Sequence, residues 1–269
     1  MKKRNYLFLF LFFCLLMTAC GQSDKRNLEH IKDVTALFEE PEEVLIDCFG
    51  DSITWGQFNS EELEQQIKNG EIHPSLEDGG QLFEDYGIYI SSVYQSDPTY
   101  PESLEINLNQ KLKDSGYGSY IRTVNDGISG DWLVSDSFRR ITCDPDITVI
   151  LISGNNFYFN QPHKGTLEKN IDALRKKGSI IYLLTYPLYP DRIHTEDFAN
   201  ANQYIRDVAK KKNVRLIDTY QMFEEAVRTS YDREALFSKD YIHLSPLGYD
   251  LLGQYVAEEI FSDLDQNQR

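Results

Sequence analysis

The chain has 269 residues and a formal net charge of −16 at pH 7, from 27 Lys+Arg against 43 Asp+Glu. That balance excludes the cationic surface needed to bind nucleic acid or an anionic membrane, and says little about a neutral substrate. With 41% hydrophobic and 13% aromatic residues the chain can bury a sizeable core, at a length that suits one α/β layer structure with insertions.

Lys2, Lys3 and Arg4 lead into an almost unbroken apolar run, Tyr6 to Met17, which is short for a membrane span. It ends in Met17-Thr18-Ala19-Cys20-Gly21. Small residues immediately before a cysteine resemble the cleavage box of bacterial lipoproteins, where the cysteine becomes the lipidated first residue; an ordinary secretory signal with an incidental Cys20 is the alternative. Residues 1–19 therefore read as a signal peptide, and 20–43 as lipidated Cys20 with a polar spacer. Residues 44–262 read as one exported, extracytoplasmic domain tethered to the bacterial cell membrane. Of its two remaining thiols, Cys48 ends the first strand and Cys143 precedes the strand at Ile147, opposite ends of a parallel sheet, so both are expected to stay free; no paired Cys-x-x-Cys spacing points to a metal, and no cofactor is implied.

The domain opens with Val44-Leu45-Ile46-Asp47-Cys48-Phe49, brief, branched and bounded by turn residues, as a buried strand is. Gly50-Asp51-Ser52 ends it, which is either an ordinary turn or a serine hydroxyl at the carboxyl edge of a sheet, where α/β proteins bind ligands. Residues 57–100 form an insertion with a Gly79-Gly80 pair and an aromatic run from Tyr86 to Tyr94, read as a lid or as surface decoration. A helix starts at Tyr100-Pro101 with Leu104, Leu108 and Leu112 at helical spacing. Then follow a strand from Tyr120 to Val124, the turn Asn125 to Gly130, and a polar helix to about Ile141. Ile147 to Ile152 is a continuous apolar strand ending at Ser153-Gly154-Asn155-Asn156. The rhythm repeats with a helix over Thr166–Lys177, a strand over Ile180–Thr185, a helix from about Glu196 to Lys212 and a strand over Val214–Asp218. Helices from about Tyr220 to Thr229 and from about Pro246 to Phe261 complete it, with Asp240-Tyr241-Ile242-His243 before the last. Strands alternating with helices imply a parallel sheet of five strands covered on both faces.

All strands of such a sheet end on one edge, so Ser52, Gly130, Asn155 and the Asp240–His243 segment can meet there. Their chemistry is that of acyl transfer. A serine is a poor nucleophile until a histidine takes its proton, and a carboxylate fixes that histidine's tautomer. An oxyanion needs donors already in position, which the backbone N–H groups of Ser52 and Gly130 and the amide of Asn155 can supply.

These four segments, in this order over about Val44 to Phe261, resemble the blocks of the SGNH, or GDSL-type, hydrolases. The resemblance implies a flavodoxin-like three-layer α/β/α fold and metal-free hydrolysis of esters or thioesters. It implies Ser52 as nucleophile, His243 as base, Asp240 as its orienting acid, and Gly130 and Asn155 as oxyanion donors beside Ser52. One departure stands out: the family's Gly-Gly-Asn-Asp is here Ser153-Gly154-Asn155-Asn156, which leaves open what supports Asn155.

Asp191-Arg192-Ile193-His194 repeats the Asp-x-x-His spacing, but only His243 precedes the terminal helix, so His243 is preferred. His30, His73 and His163 lie in polar stretches and read as solvated. Trp55 and Trp132 each follow a block and either face a sugar ring or pack, and the Tyr186-Pro187-Leu188-Tyr189-Pro190 loop shares that ambiguity. The expected activity is hydrolysis of short acyl or O-acetyl esters on extracellular glycans. Lysophospholipase or thioesterase chemistry is the alternative within the enzyme class, and a non-catalytic surface binding module the alternative outside it. A transporter's binding lipoprotein fits less well, since no second lobe is visible.

Overall fold

The computed structural model describes residues 44–56, 108, 110–112, 114, 121–128, 130–141, 143–190, 194–238 and 240–265. The expected signal peptide, Cys20, the expected spacer and the 57–100 insertion lie outside the described residues, as does most of the helix expected from Tyr100, although its Leu108 and Leu112 are fully buried.

Five strands, β1 (Val44–Gly50), β2 (Ile121–Gly127), β3 (Ile147–Leu151), β4 (Ile180–Leu184) and β5 (Arg215–Ile217), form one sheet in the order β2-β1-β3-β4-β5. Every neighbouring pair is parallel. This is the flavodoxin-like order, and its direction reverses at β1, so the crevice at the carboxyl ends of β1 and β3 is the topological switch point. Register sharpens that placement: Gly50 lies level with Gly127 on one side and Leu151 on the other.

The helices are α1 (Ser52–Trp55), α2 (Gly154–Tyr158), α3 (Thr166–Lys176), α4 (Thr195–Lys212), α5 (Thr219–Thr229), α6 (Arg233–Leu236) and α7 (Pro246–Asp265). Successive steps of the sheet from β3 to β5 put the crossover helices α3 and α4 together on one face by the right-handed rule. Each presents an apolar stripe at helical spacing, Leu167, Ile171 and Leu174 on α3 and Ala201, Ile205 and Val208 on α4, all 2% exposed or less. The other face is sealed by α7, whose Tyr249, Leu252, Val256 and Ile260 are fully buried. Tyr182 on β4 donates its hydroxyl to Asp263 of α7 at 3.0 Å. Each of the Leu, Ile and Val side chains among them contributes about 1.5–3 kcal/mol. Cys48 is buried and Cys143 half-buried, and neither is in a disulfide. Among the described residues no helix is long and apolar enough to cross a membrane.

The polar helix expected up to Ile141 does not form. Irregular turns lead to a single 3-10 turn, Ser137–Arg140. Side chains of neighbouring helices take the backbone bonds that a helix would have made. Asn156 accepts from Leu133 N–H (2.8 Å) and donates to Leu133 C=O (2.9 Å), while Asn170 accepts from Phe138 N–H (2.7 Å) and donates to Val134 C=O (2.7 Å). With those groups satisfied from outside, the segment gains nothing by coiling.

Candidate active site

Ser52 is the first residue of α1, directly after β1, and is 9% exposed. Gly50 makes the turn possible: a Cβ there would lie 1.9 Å from Thr54 Oγ1 and 2.4 Å from Leu151 C=O. Any side chain at this position would push α1 away from the strand end.

His243 comes from the far end of the chain. Phe237 and Leu244 form an antiparallel bridge that closes the loop carrying it, and Tyr241 takes a left-handed φ of 58° inside that loop. Asp240 organises the turn through Oδ1, which accepts from Ile242 N–H (2.9 Å), His243 N–H (2.9 Å) and Ser238 Oγ–H (2.8 Å). Its Oδ2 lies 2.7 Å from His243 Nδ1, and His243 Nε2 lies 2.7 Å from Ser52 Oγ. Burial works against the charge on Asp240, but His243 and the two backbone N–H donors outweigh it and hold the carboxyl well below the usual carboxylate range. Ionised Asp240 fixes Nδ1 as the protonated nitrogen, which leaves Nε2 as the acceptor facing the serine.

Two further turns flank the serine. Gly130 has a φ of 71°, in the left-handed region where glycine is unstrained. Asn155 sits on α2 and donates one Nδ2 hydrogen to the Asp131 carbonyl at 2.7 Å, which joins the two turns and leaves its second amide hydrogen available. Arg140 braces the assembly, pairing with the Asp131 carboxylate, reaching the Gly50 carbonyl at 3.3 Å and lying over the Phe49 ring at 4.5 Å.

Asn156 answers the question left by the missing aspartate. It is fully buried, and its amide bonds Leu133 at both backbone groups and Pro162 C=O at 3.0 Å, so it anchors α2 with both ends of the amide. Ser153 holds a φ of 106°, where a residue with a Cβ bears strain of about 1–3 kcal/mol.

The remaining candidates separate by burial and contact. Trp55 is 7% exposed and packs in the core, so it does not present its ring to a substrate. Trp132 is 42% exposed beside Asp131 and meets Phe159, 43% exposed, edge-on at 6.1 Å. Tyr158 continues the row, 4.5 Å from Phe159 and 4.1 Å from His194. His194 pairs with Asp197 at 3.3 Å; Asp191, the acid of the second Asp-x-x-His spacing, lies outside the described residues. His163 is half-buried and stacks on Phe157 at 4.3 Å. His30, His73 and the tyrosines at 86, 89 and 94 lie outside the described residues. A solvent-open hollow beside the site is lined by Ile53, Pro187, Tyr189, His194, Tyr241 and Ile242. Among the described residues no cluster of His, Cys, Asp and Glu could hold a metal ion.

The loop opened by Tyr186 read as facing a sugar ring or packing, and Asp51 had no role of its own; the structure buries Tyr186 and joins it to Asp51 by a hydrogen bond between buried side chains 135 residues apart.

A model of the GDSL-like Lipase/Acylhydrolase family matches residues 48–251. Among solved structures, the chain is similar to a family 3 carbohydrate esterase of Clostridium thermocellum, with TM-score 0.56, 18% identity, and coverage of 84% of this chain and 98% of that one. It is similar to a lipase/acylhydrolase from Enterococcus faecalis, with TM-score 0.51, 19% identity, and coverage of 81% and 96%. A catalytic mutant of an acetylxylan esterase from Geobacillus stearothermophilus gives TM-score 0.54, 19% identity, and coverage of 81% and 94%. At these identities the likeness shows the fold. No curated protein sequence matches the chain.

Proposed function

The chain belongs to the GDSL-like lipase/acylhydrolase family and is an ester-hydrolysing serine hydrolase; from that premise we propose that Ser52, His243 and Asp240 carry the reaction, on short acyl groups such as O-acetyl esters of extracellular glycans. The observation that carries this reading is the unbroken line Ser52 Oγ to His243 Nε2 to Asp240, with both links at 2.7 Å, at the switch point of the sheet. Ser52 Oγ attacks the ester carbonyl as His243 Nε2 takes its proton, and His243 returns that proton to the departing alcohol. Water then attacks the acyl-enzyme with His243 again as base, which regenerates Ser52 and releases the acid. The Ser52 and Gly130 N–H groups and the free amide hydrogen of Asn155 receive the oxyanion in both steps.

Support for a glycan ester comes from the exposed Trp132–Phe159 pair next to the Asn155 turn, since sugar rings stack their C–H faces on aromatic rings. The acetylxylan and carbohydrate esterases among the similar structures point the same way. The test is acetate release from ethyl acetate and from acetylated xylo-oligosaccharides, together with a fluorophosphonate probe mapped by mass spectrometry. Both esters are expected to turn over, the sugar ester with the higher kcat/KM, and the label to fall on Ser52. A label elsewhere removes Ser52 from its role. A preference for long acyl chains transfers the substrate to the lysophospholipase or thioesterase reading, and an unlabelled, inactive protein leaves a binding module.

The address is read from residues 1–20 alone, as an extracytoplasmic protein held to the membrane by lipid on Cys20. Metabolic labelling of the host with radioactive palmitate is expected to mark the wild-type protein and not Cys20→Ala; a wild type without label would sink the anchor.

A further inference from the structure

Two buried side chains outside the Ser52–His243–Asp240 line connect the nucleophile turn to the Asn155 turn. Asp51, 1% exposed, accepts at Oδ1 from Ile53 N–H (3.2 Å) and at Oδ2 from the Tyr186 hydroxyl. The same phenol oxygen accepts from Gly154 N–H at 3.0 Å. Asp51 precedes Ser52 and Gly154 precedes Asn155, so a single oxygen spans the distance between nucleophile and oxyanion donor. Tyr186 has little freedom of its own. It is 1% exposed, its N–H donates to Asn202 Oδ1 (2.6 Å), its C=O accepts from Asn202 Nδ2 (2.8 Å), and its ring stands edge-on to Phe198 at 5.1 Å.

Building on Ser52 as the nucleophile, we propose that Tyr186 is a positioning residue for ester hydrolysis, its hydroxyl setting the Asn155 donor relative to Ser52 and holding the Asp51 carboxylate between them. Burial pushes the Asp51 carboxyl up to about 6; the Tyr186 hydroxyl, the Ile53 N–H and the charge of His243 pull it down, and Asp131 pushes it up. Those are the groups that face it. Ionised at neutral pH, Asp51 is a second negative charge, besides Asp240, acting on the imidazolium that forms on His243. Without the phenol hydroxyl, Asp51 loses the first of its opposing contributions and takes up a proton at higher pH. Gly154 N–H is left buried without that acceptor, and α2 loses the contact that sets its distance from Ser52. Both changes act on the transition state more than on ground-state binding of the ester.

Tyr186→Phe removes one oxygen and keeps the packed ring. On ethyl acetate, kcat is expected to fall about 10- to 100-fold with KM unchanged, and the acid limb of kcat against pH to move to higher pH. In an Asp51→Asn background, where the carboxyl no longer titrates, exchanging Tyr186 for Phe no longer moves that limb. A kcat within about twofold of wild type, or a loss equal at every pH that follows a fall in Tm, overturns the assignment and leaves Tyr186 as packing. If the Phe variant does not fold, Asp51→Asn reads the same link from its other end: an acid limb with one ionisation fewer supports it, and a wild-type limb overturns it. Fluorophosphonate labelling separates this from the role of Ser52. A wild-type protein unlabelled at Ser52 overturns both, whereas a labelled wild type with an indifferent Tyr186→Phe overturns only this one.

Discussion

Asp240→Asn is expected to lower kcat by about 10,000-fold while the protein stays folded, the loss that follows when a triad histidine is held in the wrong tautomer. The substitution is nearly isosteric, and an asparagine Oδ1 still accepts from Ile242 N–H, His243 N–H and Ser238 Oγ–H, so the turn keeps its shape. What changes is the group facing His243 Nδ1. A carboxylate accepts the Nδ1 proton; an amide N–H donates to that nitrogen and drives the proton to Nε2, where it points at Ser52 Oγ 2.7 Å away. The imidazole then cannot take the serine proton. Ser52→Ala removes the proposed nucleophile and His243→Ala the proposed base, and each is expected to cost at least as much. The three losses should not add, because the groups act as one unit, and the residual rate reflects the oxyanion donors alone. Steady-state kinetics on ethyl acetate with a thermal melt of each variant decides it. A loss below about tenfold in folded Asp240→Asn would remove Asp240 from its role.

The strand-and-helix alternation and the convergence of four polar turns on one sheet edge were legible because both follow from local pattern. A strand that ends in glycine and polar residues declares its carboxyl end, and a parallel sheet puts all such ends together. His243 was legible for a different reason, its place before the terminal helix. What the pattern hides is side-chain bonding between distant turns. The helix expected up to Ile141 has adequate propensity, yet Asn156 and Asn170 take its backbone groups. Neither amide is near it in sequence. The same Asn156 stands where the family carries aspartate, and its role is visible only once its contacts to Leu133 and Pro162 are known. Trp55 and Trp132 are equivalent as sequence signals, one residue type after each of two blocks; burial alone separates them. The apolar run Val44 to Phe49 hides the opposite error, since it reads smoothly as a strand through an aspartate that ends up in the core.

That aspartate sets the second large expectation: Asp47→Asn stabilises the protein at alkaline pH and removes the share of its dependence on pH between about 4 and 8 that Asp47 carries, while the raised carboxyl of Asp51 keeps its own. Asp47 is fully buried, and neither carboxylate oxygen finds a hydrogen-bond donor among the described residues. By the register of β1 and β2 it shares a sheet face with Asp126, which pairs with Phe49. Asp126 Oδ2 and Arg140 Nε are likewise buried without a partner. Two carboxylates facing one another can bond only if one keeps its proton. Burial first, and then the charge of Asp126, push the Asp47 carboxyl up to about 8, with Arg140 pulling the other way. A carboxyl raised in the folded state holds a proton that the unfolded chain has released. Stability is therefore greatest at acid pH and falls, by about 1.4 kcal/mol per pH unit, until the folded-state group also ionises near 8. Across that window the loss is on the order of 5 kcal/mol, worth about 10 °C in Tm for a domain of this size. Asparagine supplies a permanent N–H to Asp126 with no proton uptake. Carboxylates held below their usual range, Asp240 among them, act in the reverse sense, since their contribution is lost as pH falls. For that reason the informative quantity is the difference between variant and wild-type Tm at each pH, which should grow from near zero below pH 4 to its full value by pH 9. Parallel curves would mean that Asp47 is not the group that titrates, and that the buried face of β1 and β2 tolerates two charges beside Arg140.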